Sequence, residues 1–224
     1  MNADAIATVT LKIDAEVHRQ LPGTEAQLLL IANETHPDPA HAELQAARLL
    51  ERARAAHPDP DGLAGGQTDT AYRRFYRAMG LKAAQVSTPV KQARRVLEHG
   101  AYRPISKTVD VAMEIEYATL VSFQAYDAAV AGGELEYRLA EGGEPVTTMG
   151  GAHKRCKRGE LILLGAGGVL HSSYYGNASR ARLTDDAEHA LLRILRVPGL
   201  DGERFRAAVD EAGARLRVLA AARA

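Results

Sequence analysis

The chain has 224 residues, 46% hydrophobic and 25% charged, a composition expected of a soluble globular protein with a substantial buried core. Its formal net charge at pH 7 is zero, so no global field announces a nucleic-acid or membrane partner, and no apolar run approaches the roughly 18 residues of a membrane span. The N-terminus lacks a basic flank followed by an apolar stretch, and one cysteine, Cys156, excludes an internal disulfide and a cysteine-rich zinc site; the expectation is a cytoplasmic protein without a secretory signal or membrane association.

Residues 7–14, ATVTLKID, alternate apolar and polar and read as a strand, followed by a more buried one in AQLLLIANET, residues 26–35. Asp38-Pro39 opens a helix whose apolar stripe is Leu44, Ala47, Leu49 and Leu50, with Pro58 just past its end. After the loop DPDGLAGGQ, residues 68–80 predict a helix closed by Gly80, with Tyr72, Phe75, Tyr76 and Met79 on one side and arginines on the other. Residues 87–100 repeat that plan, with Ser87 or Thr88 as the cap, Pro89 in the first turn and Gly100 at the stop. A third helix is expected over 106–118. Beyond it the texture changes to short strands, LVSFQAYD, ELEYRLA, EPVTTM, ELILLG, VLHSSYY and ALLRILRV, separated by glycine pairs. An amphipathic helix over 201–221 closes the chain. Two strands, a helical block, a strand-rich half and no internal repeat make this an α+β chain, read as one domain over 1–224.

The neutral total conceals segregation. Residues 72–107 hold nine Lys or Arg against Glu98, a formal +8, whereas 108–151 hold eight acids against Arg138, a formal −7. Arg73, Arg74 and Arg77 share one side of their helix, and Lys91, Arg94 and Arg95 do the same on the next, which suits a phosphate backbone as well as a solvated face. GAGG at 165–168 lacks the helix and third glycine of a phosphate loop and reads as a β-turn. The scattered histidines form no HxxxH or HExxH, so no metal and no cofactor is expected. Cys156 lies among cations in HKRCKR, which would favour a thiolate, but has no base at fixed spacing.

In order and spacing, AYRRFYRAMGLK, STPVKQARRVLEHGAYRPISKTVDVAMEIEYATLVSFQAYD and YRLAEGGEPVTTMGG resemble the B3/B4 tRNA-editing domain of the phenylalanyl-tRNA synthetase β subunit, and more closely the free-standing bacterial proteins made of that domain. The resemblance covers about residues 71–197, and more loosely the N-terminal strands and helix (1–60) and the C-terminal helix (201–220). It implies a helical block and a strand-rich half enclosing a central cavity. It also implies hydrolysis of a mischarged amino acid, typically tyrosine, from the tRNA 3′ end, with a positioned water and backbone oxyanion donors in place of a metal or covalent nucleophile. The chain departs from that pattern. FQAYD puts Gln124 where the synthetase has His, GNAS stands where a Glu reads the tyrosine phenol, and Ala112 and Met113 occupy a helix position that is usually small and polar. Gln124 can orient a water or carbonyl but is no base. Another amino-acid specificity, pure binding or a different reaction therefore stays open.

The polar stretch LHSSYYGNASRARLTDD would form the wall of such a cavity, or else an ordinary solvated strand edge with surface tyrosines. Strand alternation puts His171, Ser173 and Tyr175 on one face and Ser172 and Tyr174 on the other, with Asn177, Ser179 and Arg180 at the rim. The expected site thus has Gln124 and Ser179 as catalytic groups and Ala112, Met113, His171, Ser173, Tyr175 and Asn177 as pocket. Arg73, Arg74, Arg77, Lys91, Arg94, Arg95 and Arg180 are the expected tRNA contacts. The expected activity is trans-editing of a mischarged or non-protein aminoacyl-tRNA. The alternative is a repurposed module that binds or processes a free amino acid or related small molecule without tRNA. Nothing in the sequence decides the oligomeric state, for which a monomer is the default.

Overall fold

Helix boundaries follow the punctuation. In a computed structural model, which describes residues 9–223, α1 (Ala15–Gln20) starts at Asp14 and α2 (Pro39–Ala56) at Asp38, whose carboxylate accepts from the His41 N–H at 2.9 Å. Helix α3 is Gln67–Ala78. Helix α4 (Pro89–His99) is capped by Thr88 and stops at Gly100, whose φ of 62° favours glycine. Helix α5 (Lys107–Thr119) is capped by Ser106. Helix α3 buries Tyr72, Phe75 and Tyr76 and leaves Arg73, Arg74 and Arg77 outside, as its periodicity predicts. Two short helices were not legible beforehand, α1 and α6 (Ala128–Ala131). Residues 7 and 8 of the expected first strand lie outside the described residues, as does most of the N-terminal stretch read for a secretory signal.

Two sheets face each other. One has the order β1 (Thr10–Ile13), β4 (Glu134–Leu139), β7 (Leu161–Gly165), β8 (Gly168–Ser172), β9 (Gly176–Asn177), with β1 parallel to β4 and the other pairs antiparallel. The other is antiparallel throughout, ordered β11 (Val218–Arg223), β2 (Glu25–Ala32), β10 (His189–Arg196), β3 (Ser122–Asp127). A small hairpin, β5 (Pro145–Thr147) and β6 (His153–Arg155), stands apart, and α7 (Gly202–Arg215) follows β10. Buried side chains of both large sheets join those of α3, α4, α5 and α7 in one core. The architecture is α+β. GAGG is the β7–β8 turn, with Gly165 opposite Gly168.

Two expectations need correction, and one strand was not anticipated. The last helix ends at Arg215, and residues 218–223 form β11 on the edge of β2. Alanine-rich sequence favours a helix locally, but β2 is buried and its outer hydrogen-bonding groups need a partner, so tertiary pairing overrides propensity. The strand expected over 169–175 stops at Ser172. There Oγ donates to the buried Glu160 at 2.6 Å and accepts from the N–H groups of Tyr174 (3.2 Å) and Tyr175 (3.0 Å), which turns the chain. Part of HKRCKR is strand β6, although all three of its residues are exposed.

Among the described residues, no ion pair joins the acidic segment to the basic helices. Glu114 instead pairs with Arg52 and Arg215, tying α5 to α2 and α7, while Glu136 pairs with Lys12 and Glu144 with Arg138. No described helix is long and apolar enough to cross a membrane.

Candidate functional site

Gln124 stands on β3 with Ser122 and Tyr126 on the same face, directly opposite Arg193 of β10. From the facing sheet, Tyr137, Leu163 and His171 form a row across β4, β7 and β8. Between the sheets, roofed by α3 and the start of α4, lies a chamber of about 350 Å³. Its wall includes Gln124, Ser122, Arg193, Glu116, His171 and Ser173. A more open vestibule of about 620 Å³ adjoins it, lined by Ala112, Met113, Met149, Asn177, Arg103 and Arg182 among others. Gln92 and Gln124 belong to both, so Gln124 stands at the junction.

The expected pocket residues therefore divide between two compartments. His171, Ser173 and Tyr175 line the chamber with Gln124, while Ala112, Met113 and Asn177 line the vestibule. Asn177 Oδ1 lies 2.8 Å from His171 Nδ1 and bridges the two. Because the chain turns after Ser172, Tyr174 joins Tyr175 on the chamber wall, and the alternation expected over 171–175 breaks. Ser179 is not brought to Gln124. It lies in a separate groove with Arg138, Glu144 and Thr147, because the Ala178 N–H is held by the Leu170 carbonyl and the following turn points outward.

The expected tRNA contacts divide as well. The Lys91 ammonium donates to the carbonyls of Ala83, Ala84 and Val86 at 2.6–3.0 Å, and Arg180 to those of Ala166, Gly168 and Val169 at 2.8–3.3 Å. Both side chains hold turns. Arg94 pairs with Glu98 and Asp61, and Arg73 with the buried Asp69. Arg74, Arg77 and Arg95 are exposed and have no ion pair among the described residues.

The chamber holds one formal charge near neutrality. Burial, and then the Arg193 charge, push the His171 imidazole down to about 3, so it is neutral. With Asn177 Oδ1 accepting, Nδ1 carries the proton and Nε2 keeps its lone pair. Burial pushes the Glu116 carboxyl up to about 8 against the pull of the Phe123 N–H and Arg193, which favours the neutral acid. Burial also raises Tyr76 to about 12 and raises Tyr126 and Tyr137, so all three remain phenols. Arg193, 1% exposed, keeps its charge. Cys156 is no thiolate: burial, then Glu160 and Glu144, raise it to about 12. Among the described residues no three His, Cys, Asp or Glu side chains are grouped to hold a metal ion.

Arg193 and Glu116 were missed in the sequence. Their only sign there is a charge inside an otherwise apolar strand, ALLRILRV, and inside the third helix. Asp110 is explained by contacts rather than chemistry. Fully buried, it accepts from Tyr102 Oη (2.7 Å) and the Ile105 N–H (3.0 Å) and bonds His36 Nε2 (2.7 Å), anchoring the loop that carries Arg103 and Ile105 to the vestibule.

An α+β chain enclosing a central cavity is the fold class that the sequence resemblance implied; the basic mouth formed by Arg103 and Arg182 was not among its expectations. The family model described as the B3/4 domain matches residues 71–207, more than half of the chain, and the chain belongs to that family. Among solved structures it is similar to an N-terminal fragment of the phenylalanyl-tRNA synthetase β subunit from Pyrococcus horikoshii. The identity is 12% and the TM-score 0.44, with 94% of this chain and 50% of that fragment covered. The chain thus spans about half the length of that fragment. No curated protein matches it significantly.

Proposed function

We propose that this B3/4 domain hydrolyses an aminoacyl-tRNA ester, taking the acyl group into the chamber and the terminal adenosine into the vestibule. The observation that carries this reading is the position of Gln124 at the junction of the two compartments, where the scissile ester would lie. Water adds to the ester carbonyl carbon, the oxyanion forms, and the bond to the ribose oxygen breaks; that oxygen leaves with a proton derived from the water. The Gln124 carboxamide can donate to the developing oxyanion and accept from the water. His171 Nε2, neutral and with a free lone pair, can orient that water from the opposite sheet. Arg103 and Arg182 at the mouth, with exposed Ile105 and Met149, suit phosphate and a base face.

The test is release of amino acid from a pool of tRNAs charged with cognate, near-cognate and non-protein amino acids. Selective release that falls about a hundredfold in Gln124→Ala, the scale set by loss of an oxyanion donor, is the expected result. No release from any ester, with no tRNA binding, would sink it. A second reading, a module that binds a free amino acid, is favoured by the absence of an ionised base among the chamber residues described above.

A further inference from the structure

Four of the six buried side-chain N or O atoms without a hydrogen-bond partner among the described residues are Arg193 Nε, Glu116 Oε1, Tyr126 Oη and Tyr137 Oη, and the charge of Arg193 acts on each of the other three groups. Folded proteins rarely leave such groups unpaired, and two of these residues, Arg193 and Glu116, border a chamber that a ligand or water can fill. Arg193 is the extreme case. It sits mid-strand in β10, 1% exposed, lines the chamber, and has no carboxylate within 4.0 Å among the described residues. Every other titratable group around it described above is neutral near pH 7, namely Glu116, His171, Tyr76, Tyr126 and Tyr137.

A buried guanidinium without a counter-ion opposes folding, and an apolar side chain of similar volume would suit this strand better. Its planar fork matches a carboxylate. We infer that Arg193 is a carboxylate receptor, and that the chamber binds a ligand whose carboxylate lies on its guanidinium beside Gln124. The carboxylate has two possible sources. One is the side chain of an acidic aminoacyl group, which rests on the ester-hydrolase reading; the other is the α-carboxylate of a free amino acid, which does not.

A larger groove beside α3, about 670 Å³ and carrying Arg74, is lined by none of these four residues. Beside Arg193, a carboxylate in the chamber would also meet the protonated Glu116 on the same wall.

Calorimetry and thermal unfolding would use four probes: L-glutamate, L-glutamine, and the 3′-deoxy-3′-amido adenosine conjugates of each. A preference of about ten- to a hundredfold for the glutamyl over the glutaminyl conjugate, lost in Arg193→Met, assigns the side-chain carboxylate. Equal binding of the two free amino acids, lost in Arg193→Met and absent for both conjugates, assigns the α-carboxylate. Arg193→Met should itself unfold at a higher temperature than the wild type, because it removes the unpaired charge. If none of the four probes binds the wild type, or if binding survives in Arg193→Met, the inference fails. The glutamate–glutamine comparison on wild-type protein stands even if that variant does not fold. The two readings also fail separately: Gln124-dependent deacylation of neutral esters without a carboxylate preference would overturn this inference alone. Carboxylate binding without cleavage of any ester would overturn the hydrolase reading alone.

Discussion

Glu116 shows how burial converts a residue's ordinary chemistry. Its carboxyl, 1% exposed, is raised from 4.5 to about 8, chiefly by burial. The folded protein therefore binds more protons than the unfolded chain between those values. The contribution is fully present below pH 4.5 and is lost as pH rises through about 8. Glu116→Gln keeps an acceptor for the Phe123 N–H and removes the titration. Urea unfolding of the two proteins should thus show the wild type losing stability relative to the variant as pH rises from 4.5 to about 8. A constant difference across that range would show that Glu116 is ionised throughout. His171 has the opposite sense. Its imidazole is lowered from 6.5 to about 3, so its protonation destabilises the fold only as pH falls through that window. In a deacylation assay the ratio of wild-type to His171→Gln rates should stay level as pH falls through 6.5 and decline only towards about 3. A drop centred near 6.5 would mean an accessible, ordinary histidine.

At the scale of elements, the site depends on a loop and a turn that carry no chemistry themselves. Asp110 fixes the stretch before α5 through Tyr102, Ile105 and His36, and so fixes Arg103 at the vestibule. Asp110→Ala leaves the part-buried Tyr102 hydroxyl and His36 imidazole without their acceptor and should destabilise the protein by about 1–3 kcal/mol, measured by denaturant unfolding. It should also raise KM for aminoacyl-tRNA more than it lowers kcat, since the groups around the ester stay in place; an equal fall in kcat would place Asp110 closer to the chemistry. Glu160 does the same work for the turn after β8. Buried, it accepts from Ser172 Oγ (2.6 Å) and from the N–H groups of Lys157 (2.6 Å) and Tyr174 (2.9 Å), and that turn brings Tyr174 and Tyr175 to the chamber. Much of the polarity of the stretch from 170 to 186 is therefore scaffolding around a few cavity-lining groups.

Across the molecule, no ion pair among the described residues joins the −7 segment to the basic helices of the +8 segment; Glu136 and Glu114 pair instead with Lys12, Arg52 and Arg215, outside both segments. Exposed cations without an ion pair among the described residues thus remain, Arg74, Arg77 and Arg95 on the outward helical face of the basic segment and Arg103 and Arg182 at the mouth. If tRNA approaches across this face, affinity falls steeply with salt, and Arg77→Glu or Arg95→Glu weakens binding and flattens that salt dependence by about one to two counterions. Lys91→Met, by contrast, should leave tRNA affinity unchanged while lowering stability by about 1–3 kcal/mol, because it strips a charged donor from three carbonyls. Filter binding across a salt series separates the two sets, and equal weakening by Lys91→Met would refute the division.

The features legible before folding are local and periodic. Caps at Asp38, Thr88 and Ser106 and the stop at Gly100 set most helix ends, and the aromatic stripe of α3 set its buried face. The order and spacing of motifs set the family, and they placed Gln124 and His171 on strands that meet at one cavity. The tertiary structure alone decided what depends on distant partners. It made the alanine-rich C-terminus a strand, because the edge of β2 needed pairing. It turned Ser179 away from Gln124, gave Lys91 and Arg180 to backbone carbonyls, and left Arg193 buried without a counter-ion. A hydrogen-bond partner or a counter-charge can lie a hundred residues away along the chain, so local pattern reports the donor but not what it meets. Only the folded chain brings the two within reach and fixes which charges stay free to bind.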